Sequence, residues 1–226
     1  MVITQLRTQF IDKGVTILAK KQKDHIDLFT DGGSTRIPSN SKIYYGASCY
    51  IIRYKDKYFT SVDVMDTTSS SPLHNKCELR ALRNGLEALT KKIVFTEDLE
   101  LRICMDSEYA INCVSLWIKN WVRMGNTLYR RDGSEIANSK LILEVVDLLS
   151  KIPKYRFLKI ESHIEPDGNA LRDSYETFKV KNKMPKLELY QYYEMVFMND
   201  RCDKLIQNEY NKIRVRMVKN HSGGVV

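Results

Sequence analysis

Two aspartates stand where apolar runs of the sequence end, and a glutamate lies between them in the chain. Asp31 closes HIDLFTD and is followed at once by two glycines, and Asp106 closes LELRICMD. Glu78 lies in NKCELRALRNGLEALTKK, on the side of a predicted helix that it shares with Leu82 and Leu86. Because sites in open α/β sheets form at the carboxyl ends of strands, the three carboxylates are candidates for one site.

Three acids that converge without an arginine partner repel one another unless a cation neutralises them. Hard divalent cations such as Mg²⁺ bind oxygen ligands of this kind and keep several waters. Each acid also has a plainer interpretation. Asp31 before glycine is typical of a turn, Asp106 before serine is typical of a helix start, and Glu78 is typical of a solvated helix acid. The order of the three acids along suitable elements favours the metal site.

The elements that must position these acids alternate between strands and helices. Strands are predicted in HIDLFTD, LELRICMD and YRFLKIESH, and two more in KIYYGASCYIIRYKDKYFTSVDVM, with a turn at residues 55–57. Apolar spacing predicts helices in NKCELRALRNGLEALTKK, SEYAINCVSLWIKNWV, NSKLILEVVDLLSKI and NDRCDKLIQNEYNKIRVRM, and a basic loop in RMGNTLYRRDGSE. Ser107 is the expected N-cap of the second helix. The predicted order β-β-β-α-β-α-α-β-α indicates an α/β fold, in which helices pack on a mixed sheet.

The composition of the 226-residue chain, 43% hydrophobic and 28% charged, is that of a globular protein. It has no apolar run of about 18 residues, so we expect no membrane span and no membrane partner. Its first 21 residues lack the apolar core of a secretory signal. The five cysteines are scattered and form no CxxC pair, which argues against a zinc site. Their odd number favours reduced thiols in an intracellular, reducing compartment (cytoplasm or nucleus). A net charge of +8 favours a polyanionic partner such as nucleic acid.

Four segments resemble the signature segments of type 1 ribonuclease H: FTDGGS, NKCELRALRNGLEAL, MDSEYAINCVSLWIKNW and NDRCDKLI. The resemblance covers about residues 25–163 and 199–212, and the DSxY…WIxNW pattern is its most specific part. It implies a ribonuclease H-like fold with a mixed five-stranded sheet flanked by helices. It also implies an endonuclease that hydrolyses the RNA strand of RNA–DNA hybrids with two Mg²⁺ ions, for which Mn²⁺ can substitute.

The resemblance also implies roles for the three acids, carried over position by position. Asp31 would bridge both metal ions, and Glu78 and Asp106 would bind the first. Two metal ions about 4 Å apart activate a water and stabilise the leaving oxygen of an in-line displacement. A carboxylate near the C-terminus would hold the second metal ion.

Two residues fit that fourth carboxylate. Asp203 lies in NDRCDKLIQ, which opens an amphipathic helix, whereas Asp173 follows His163 by ten residues, as in the family. We favour Asp203, with about thirty residues inserted after His163, and keep Asp173 as the alternative. His163 is the expected catalytic histidine, which would assist proton transfer or the release of product or metal. Its plainer interpretation is a strand-end histidine with a local hydrogen bond.

Contacts with the RNA strand are implied near the acids. Asn75 and the backbone at Gly33 and Ser34 would face 2′-hydroxyls in the shallow minor groove of the hybrid. The glycines after Asp31 are expected to let the backbone pass close to the RNA, where a side chain would collide. Position 108 is Glu, where many relatives have Gln. The sequence therefore departs from the family at one of the expected contacts with the RNA strand.

An aromatic and basic surface follows the third segment and resembles the protrusion by which some relatives bind the DNA strand. Its candidate substrate contacts are Trp121, Arg123 and Arg130. Positive charge here would bind phosphates and make affinity depend on salt. The plainer interpretation places Trp121 and its neighbour Trp117 in the core.

The predicted organisation has three parts: a basic extension at 1–24, a ribonuclease H-like domain at 25–216 with an insertion at about 164–198, and a disordered tail at 217–226. A monomer that binds RNA–DNA hybrid is the default. Two alternatives are a non-catalytic nucleic-acid-binding module of the same fold and a junction-resolving nuclease of the same superfamily. The intact acids argue against the first, and Asn75 with the DSxY…WIxNW pattern argues against the second.

Overall fold

The computed structural model describes residues 24–37, 40–65, 68–162, 164 and 169–222, and its centre is a five-stranded sheet. The described strands are β1 (Asp24–Ile37), β2 (Asn40–Tyr54), β3 (Lys57–Val64), β4 (Leu99–Met105), β5 (Val122–Met124), β6 (Thr127–Tyr129) and β7 (Tyr155–Lys159). The central sheet has the order β3-β2-β1-β4-β7. β1, β2 and β3 pair antiparallel, whereas the β1–β4 and β4–β7 pairs are parallel. The predicted mixed five-stranded sheet is confirmed.

Helices cover both faces of this sheet. Those in the described part of the chain are α1 (His74–Thr90), α2 (Glu108–Ser115), α3 (Ser139–Leu149), α4 (Asn169–Lys181) and α5 (Leu189–Ser222). One hydrophobic core lies on the face of α1, α2 and α3 and includes Leu28 and Leu82. The other lies on the face of α4 and α5 and includes Phe29 and Ile206. Because successive side chains of a strand point to opposite faces, Leu28 and Phe29 enter different cores.

Two stretches are more ordered than the sequence pattern predicts. β5 and β6 pair as a hairpin where a basic loop was expected, and Gly125 at its turn has a φ of 60°, which glycine adopts without strain. Within the predicted insertion, α4 packs on α5 through Phe178 and Tyr192, whose ring centroids are 4.8 Å apart. Ser107 is the N-cap of α2 as predicted, because its side chain accepts a hydrogen bond from the backbone of Ala110.

The boundaries of the domain shift at both ends. β1 begins at Asp24, so this residue belongs to the sheet and not to the predicted extension. α5 continues to Ser222, so the prediction of a disordered tail is wrong for residues 217–222. Good helix formers such as Arg and Lys favour the continuation of a helix without any apolar pattern. Residues 1–23 of the predicted extension and residues 223–226 lie outside the described residues.

A buried ion cluster joins β1, β2 and β4 toward the start of β1. Asp27 is 1% exposed, and its carboxylate accepts hydrogen bonds from Arg53 Nη2 at 2.7 Å and Arg102 Nε at 2.5 Å. Burial by itself would raise the pKa of Asp27, but the hydrogen bond and charge of Arg102 and the charge of Arg53 lower it. The cluster therefore keeps an ionised carboxylate between two cations in the interior.

Two further expectations concern the cysteines and the membrane. All five cysteines are buried as free thiols. Across the described residues, no helix is both long enough and apolar enough to cross a bilayer.

Candidate active site

β1, β4 and α1 bring Asp31, Asp106 and Glu78 together at one edge of the sheet. Each side chain offers a carboxylate oxygen, and these oxygens lie within 4.8 Å of one another. Asp31 lies just beyond Phe29, the last β1 residue paired with β4, and Asp106 directly follows the end of β4. Glu78 lies in the second turn of α1. The structure thus brings these three predicted residues into one cluster.

Asp31 does not lie in a turn. β1 continues through Gly32 and Gly33 to Ile37, and Asp31 is paired with Cys49 of β2. Asp31 Oδ1 accepts a hydrogen bond from the backbone N–H of Gly32 at 2.7 Å. The interpretation of Asp31 as a turn residue is wrong, because antiparallel pairing with β2 keeps both glycines in the strand.

Gly32 lets α1 approach β1 closely. A Cβ atom on Gly32 would lie 2.2 Å from the carbonyl carbon of Cys77 and 2.3 Å from the backbone nitrogen of Glu78. The described glycines with positive φ are Gly125 and Gly133, so Gly32 is needed for space and not for its backbone conformation. The expectation that Gly32 makes room for RNA is therefore corrected: it makes room for the turn of α1 that carries Glu78.

Burial and mutual repulsion raise the pKa values of the clustered carboxyl groups. Burial, followed by the charges of Asp106 and Asp203, raises the pKa of Asp31 to about 7. Burial, followed by the charges of Asp31 and Asp106, raises the pKa of Glu78 well above its ordinary value. Both shifts disfavour the ionised form, so the cluster is destabilising in a metal-free protein at neutral pH.

The donor atoms of the cluster fit a divalent cation. Glu78 Oε2 and Asp106 Oδ1 are buried and have no hydrogen-bond partner within the described part of the chain. A buried carboxylate oxygen without a partner is unfavourable unless a ligand satisfies it. The clustered donors are carboxylate oxygens, which suit hard cations such as Mg²⁺ and Mn²⁺.

α5 brings Asp203 toward the cluster, and α4 leaves Asp173 at the surface. α5 packs against β1 and β2, with Cys202 and Ile206 in the core between them. Asp203 is half-buried, and its charge contributes to the raised pKa of Asp31. Asp173 is exposed on α4, which packs on α5. Asp203 is not among the three carboxylates that lie within 4.8 Å of one another, so its assignment as the fourth ligand stays a prediction.

The predicted RNA contacts border the cluster. Asn75 is exposed in the first turn of α1. Ser34 Oγ accepts a hydrogen bond from the backbone N–H of Leu73 at 3.0 Å, so Ser34 also fixes the chain that enters α1. Gly33 is half-buried. Contact of these residues with RNA stays a prediction, as does the role of His163, which lies outside the described residues.

Glu108, which stands where many relatives have glutamine, forms an ion pair with Lys159. Lys159 Nζ, at the end of β7, lies 2.6 Å from the Glu108 carboxylate. The hydrogen bond and charge of Lys159 lower the pKa of Glu108, so this side chain is ionised at neutral pH. An ionised carboxylate only accepts hydrogen bonds, so Glu108 cannot supply the donor that a glutamine would offer to substrate.

The predicted aromatic and basic surface is partly core and partly exposed. Trp121 packs against the core of α1–α3 and contacts Trp117, which is 37% exposed, at 6.4 Å between ring centroids. Arg123 and Arg130 are exposed, and each donates a hydrogen bond within the hairpin region. The two arginines are therefore accessible to a ligand, while Trp121 also has the structural role of the plainer interpretation.

Sequence reasoning missed a basic groove of about 830 Å³ between α1 and α3. Its cations include Arg80, which pairs with Asp63 at 2.6 Å, and Lys76 and Lys140, which form no ion pair within the described residues. An acidic lining residue, Glu144, is paired with an arginine. Lys76 and Arg80 have the i,i+4 spacing of one helix face, a signal that the sequence contained.

Comparisons with known proteins find similarity to ribonucleases H. The RNase H family model matches residues 23–181, a range that includes Asp173 and ends before Asp203. Ribonuclease H of Acetivibrio thermocellus is 26% identical over 162 residues, which cover 71% of this chain and 98% of that protein. Ribonuclease HI of Streptomyces coelicolor is 31% identical over 90 residues, 39% of this chain and 37% of that protein. The solved structure of LC11-RNase H1 in complex with RNA/DNA hybrid matches with a TM-score of 0.41 at 18% identity, covering 67% of this chain and 91% of that one.

Proposed function

The chain belongs to the RNase H family and is a nuclease; we propose that it hydrolyses the RNA strand of RNA–DNA hybrids with two divalent cations. Mg²⁺ is the proposed cation, and Mn²⁺ the proposed substitute. The proposed ligands are Asp31, Glu78, Asp106 and Asp203. We also propose a monomer in a reducing, intracellular compartment, in keeping with its five free cysteines.

One observation carries this proposal: three carboxylates from separate elements converge within 4.8 Å, and two of their buried oxygens lack a partner in the described residues. Such an arrangement is unstable by itself and favourable around a cation. When bound, divalent cations activate water and stabilise the developing charge on the leaving oxygen. The roles of the protein are to hold the ligands rigidly and to place the RNA strand.

Three of the four proposed ligands are held in place by contacts that the structure describes. Asp31 is fixed by strand pairing on β1 and by the hydrogen bond from the Gly32 N–H. Glu78 is fixed by the close packing of α1 on Gly32. Asp106 follows a buried strand and precedes the Ser107 N-cap of α2. Rigid placement matters because a displacement of about 1 Å at a catalytic group can reduce the rate about 100-fold.

Recognition of the hybrid divides between two surfaces in this proposal. Asn75 and the backbone at Gly33 and Ser34 face the RNA strand, because they border the carboxylates that act on its phosphate. Discrimination from DNA rests on hydrogen bonds to 2′-hydroxyls, which only the RNA strand carries. His163 is proposed to assist proton transfer or release of product or metal, as the family resemblance implies.

The DNA strand is proposed to lie along the exposed cations. These are the groove residues Lys76 and Lys140 together with Arg123 and Arg130, and the half-buried Trp121 lies beside them in the chain. The contacts are to phosphates, so they add affinity without sequence preference.

The test is cleavage of an end-labelled RNA–DNA hybrid in Mg²⁺ by wild type, Asp31→Asn, Asp203→Asn and Asp173→Asn. We expect cleavage by wild type and Asp173→Asn, and none by Asp31→Asn or Asp203→Asn. Only the last two substitutions remove a proposed metal ligand. Loss of activity in Asp173→Asn with full activity in Asp203→Asn would reverse the assignment of the fourth ligand.

The same assay with other substrates separates the alternatives. Duplex DNA, duplex RNA and a four-way DNA junction should stay intact, since they lack an RNA strand in a hybrid. Cleavage of the junction would indicate a resolving nuclease. Intact hybrid in both Mg²⁺ and Mn²⁺, with hybrid binding retained in a mobility-shift assay, would reduce the proposal to a binding module.

A further inference from the structure

We propose that the C-terminal half of α5 is a further nucleic-acid-binding surface, in which Arg214 binds a backbone phosphate of the RNA strand a few nucleotides from the phosphate that is cleaved. This inference rests on the proposed function and deepens it. Neither the family resemblance nor the acidic cluster assigns a role to the segment KIRVRM at residues 212–217, for which the sequence predicts only a helix.

Arg214 lies against the face of β1 that carries Asp31. Side chains of a strand alternate between its faces, so Asp31, Gly33 and Thr35 share the face on which α5 packs. At Gly33, an added Cβ would lie 3.2 Å from Tyr210 Oη. At Thr35, Oγ1 accepts a hydrogen bond from Arg214 Nη2 at 3.1 Å. α5 therefore follows β1 beyond the acidic cluster and places Arg214 beside the strand.

The separation along β1 relates this contact to the cleaved phosphate. At about 3.3 Å per residue, Thr35 lies about 13 Å along the strand from Asp31. One strand of a duplex advances about 3.4 Å of helix axis per nucleotide, so about 13 Å corresponds to about four nucleotides. Ser34, a predicted RNA contact, lies between Asp31 and Thr35 in the chain. An RNA strand that is bound at the acidic cluster and at Ser34 therefore reaches Arg214.

The surface around Arg214 is positively charged. Residues 204–216 of α5 include four basic residues and one acidic residue. Arg36, Arg214 and Arg216 are exposed, and none of the three forms an ion pair within the part of the chain that the structure describes. Arg36 lies over the ring of Tyr44, 5.5 Å from its centroid, and donates a hydrogen bond to its hydroxyl at 3.0 Å. Cations whose charge no carboxylate neutralises attract a polyanion.

A hydrogen bond to Thr35 makes Arg214 better placed than an ordinary surface arginine. A guanidinium group has five N–H donors, and the contact with Thr35 uses one of them. The remaining donors suit a phosphate, which arginine binds through two parallel hydrogen bonds. The helix is also fixed here, because Tyr45 Oη donates a hydrogen bond to the carbonyl oxygen of Tyr210, one turn before Arg214. A side chain that is already held loses less conformational freedom when a ligand binds.

The first experiment measures hybrid binding and its dependence on salt. The full chain with Asp31→Asn, which is expected to bind hybrid without cleaving it, is compared with the same chain carrying Arg214→Gln or Lys186→Gln. Lys186→Gln is the matched control, because Lys186 is an exposed cation before α5, and the helix from Leu189 to Arg214 spans about 37 Å.

Loss of one phosphate contact lowers the slope of log K against log salt by about 0.9. We expect this change for Arg214→Gln, so that its deficit in affinity is about 3-fold larger at 50 mM than at 200 mM KCl. We expect no change of slope for Lys186→Gln.

The second experiment identifies the strand. A methylphosphonate, which carries no charge, replaces one phosphate at a time around the mapped cleavage position of a short hybrid, in either strand. At one RNA-strand position near the cleaved phosphate, the replacement should raise KM of wild type about 3-fold to 10-fold and leave KM of Arg214→Gln unchanged. The kcat of both should stay within about 2-fold, because a contact away from the reacting atoms is equally strong in the ground state and the transition state.

Three outcomes would overturn the inference: an unchanged salt slope in Arg214→Gln, an equal loss in Lys186→Gln, or coupling of Arg214 to a phosphate of the DNA strand. Failure of the proposed function gives a different result. If wild type cleaves no hybrid but Arg214→Gln alone lowers the salt slope of hybrid binding, α5 is a nucleic-acid-binding surface and the proposed catalysis falls.

Discussion

Replacement of Gly32 by alanine should separate α1 from β1 and inactivate the enzyme. The added Cβ would lie 2.2 Å from the carbonyl carbon of Cys77 and 2.3 Å from the backbone nitrogen of Glu78. Carbon atoms in contact prefer separations of about 3.5–4.0 Å, so the backbone of α1 must move by about 1 Å or more. No rotation of a side chain relieves this overlap, because both contacted atoms belong to the backbone.

The expected magnitude follows from that displacement. Overpacking of a core typically destabilises by about 1–3 kcal/mol, and a rigid backbone contact places Gly32→Ala at or above the upper end. At about 2–4 °C per kcal/mol for a domain of this size, the melting temperature should fall by about 6–12 °C. Because Glu78 moves with α1, kcat/KM should fall about 100-fold even where the protein is folded.

The assay combines thermal unfolding by circular dichroism with cleavage of the labelled hybrid at a temperature well below the melting transition. Gly33→Ala is the control for stability, since its Cβ would lie 3.2 Å from Tyr210 Oη, an overlap that a shift of a few tenths of an ångström relieves. We expect Gly33→Ala to destabilise by less than about 1 kcal/mol. If the melting temperature and cleavage rate of Gly32→Ala equal those of wild type, the assigned role of Gly32 in positioning Glu78 is wrong.

Three further predictions concern the acidic cluster, the ion cluster and the groove. Because the pKa of Asp31 is raised from 3.8 to about 7, the free energy of unfolding of the metal-free protein should fall as pH rises through this window. Asp31→Asn should therefore be more stable than wild type by about 1–4 kcal/mol at pH 8 in EDTA and gain nothing at pH 4, as measured by urea unfolding. Asp27→Asn should destabilise by about 3–5 kcal/mol, because it leaves Arg102 buried without a carboxylate and leaves Arg53 with Glu194 as its remaining partner; a thermal melt within 2 °C of wild type would contradict this. The double variant Lys76→Ala/Lys140→Ala should weaken hybrid binding and lower the slope of log K against log salt by up to about 1.8, and an unchanged slope would exclude the groove as a phosphate contact.

Much of the fold follows from the order of elements and their apolar patterns. Alternation in HIDLFTD and helical spacing in NKCELRALRNGLEALTKK reflect interactions between residues close in the chain, and both elements formed as predicted. The hairpin of β5 and β6 was missed because its strands have three residues each, too few to carry an apolar alternation. The end of α5 was missed because residues 211–216, which precede it, are mostly exposed and carry no apolar stripe.

The sequence by itself determined which acids are candidates: Asp31, Glu78 and Asp106 stand out by residue type and by their place at the ends of apolar runs or on a helix face. Only the tertiary structure decided what lies around them. The contact of Gly32 with α1 joins residues 45 positions apart, and no local pattern encodes such a distance. The choice between Asp203 and Asp173 likewise depends on which of two helices packs on the sheet. Their distances from Asp31 along the chain do not reveal which of the two lies near it in space.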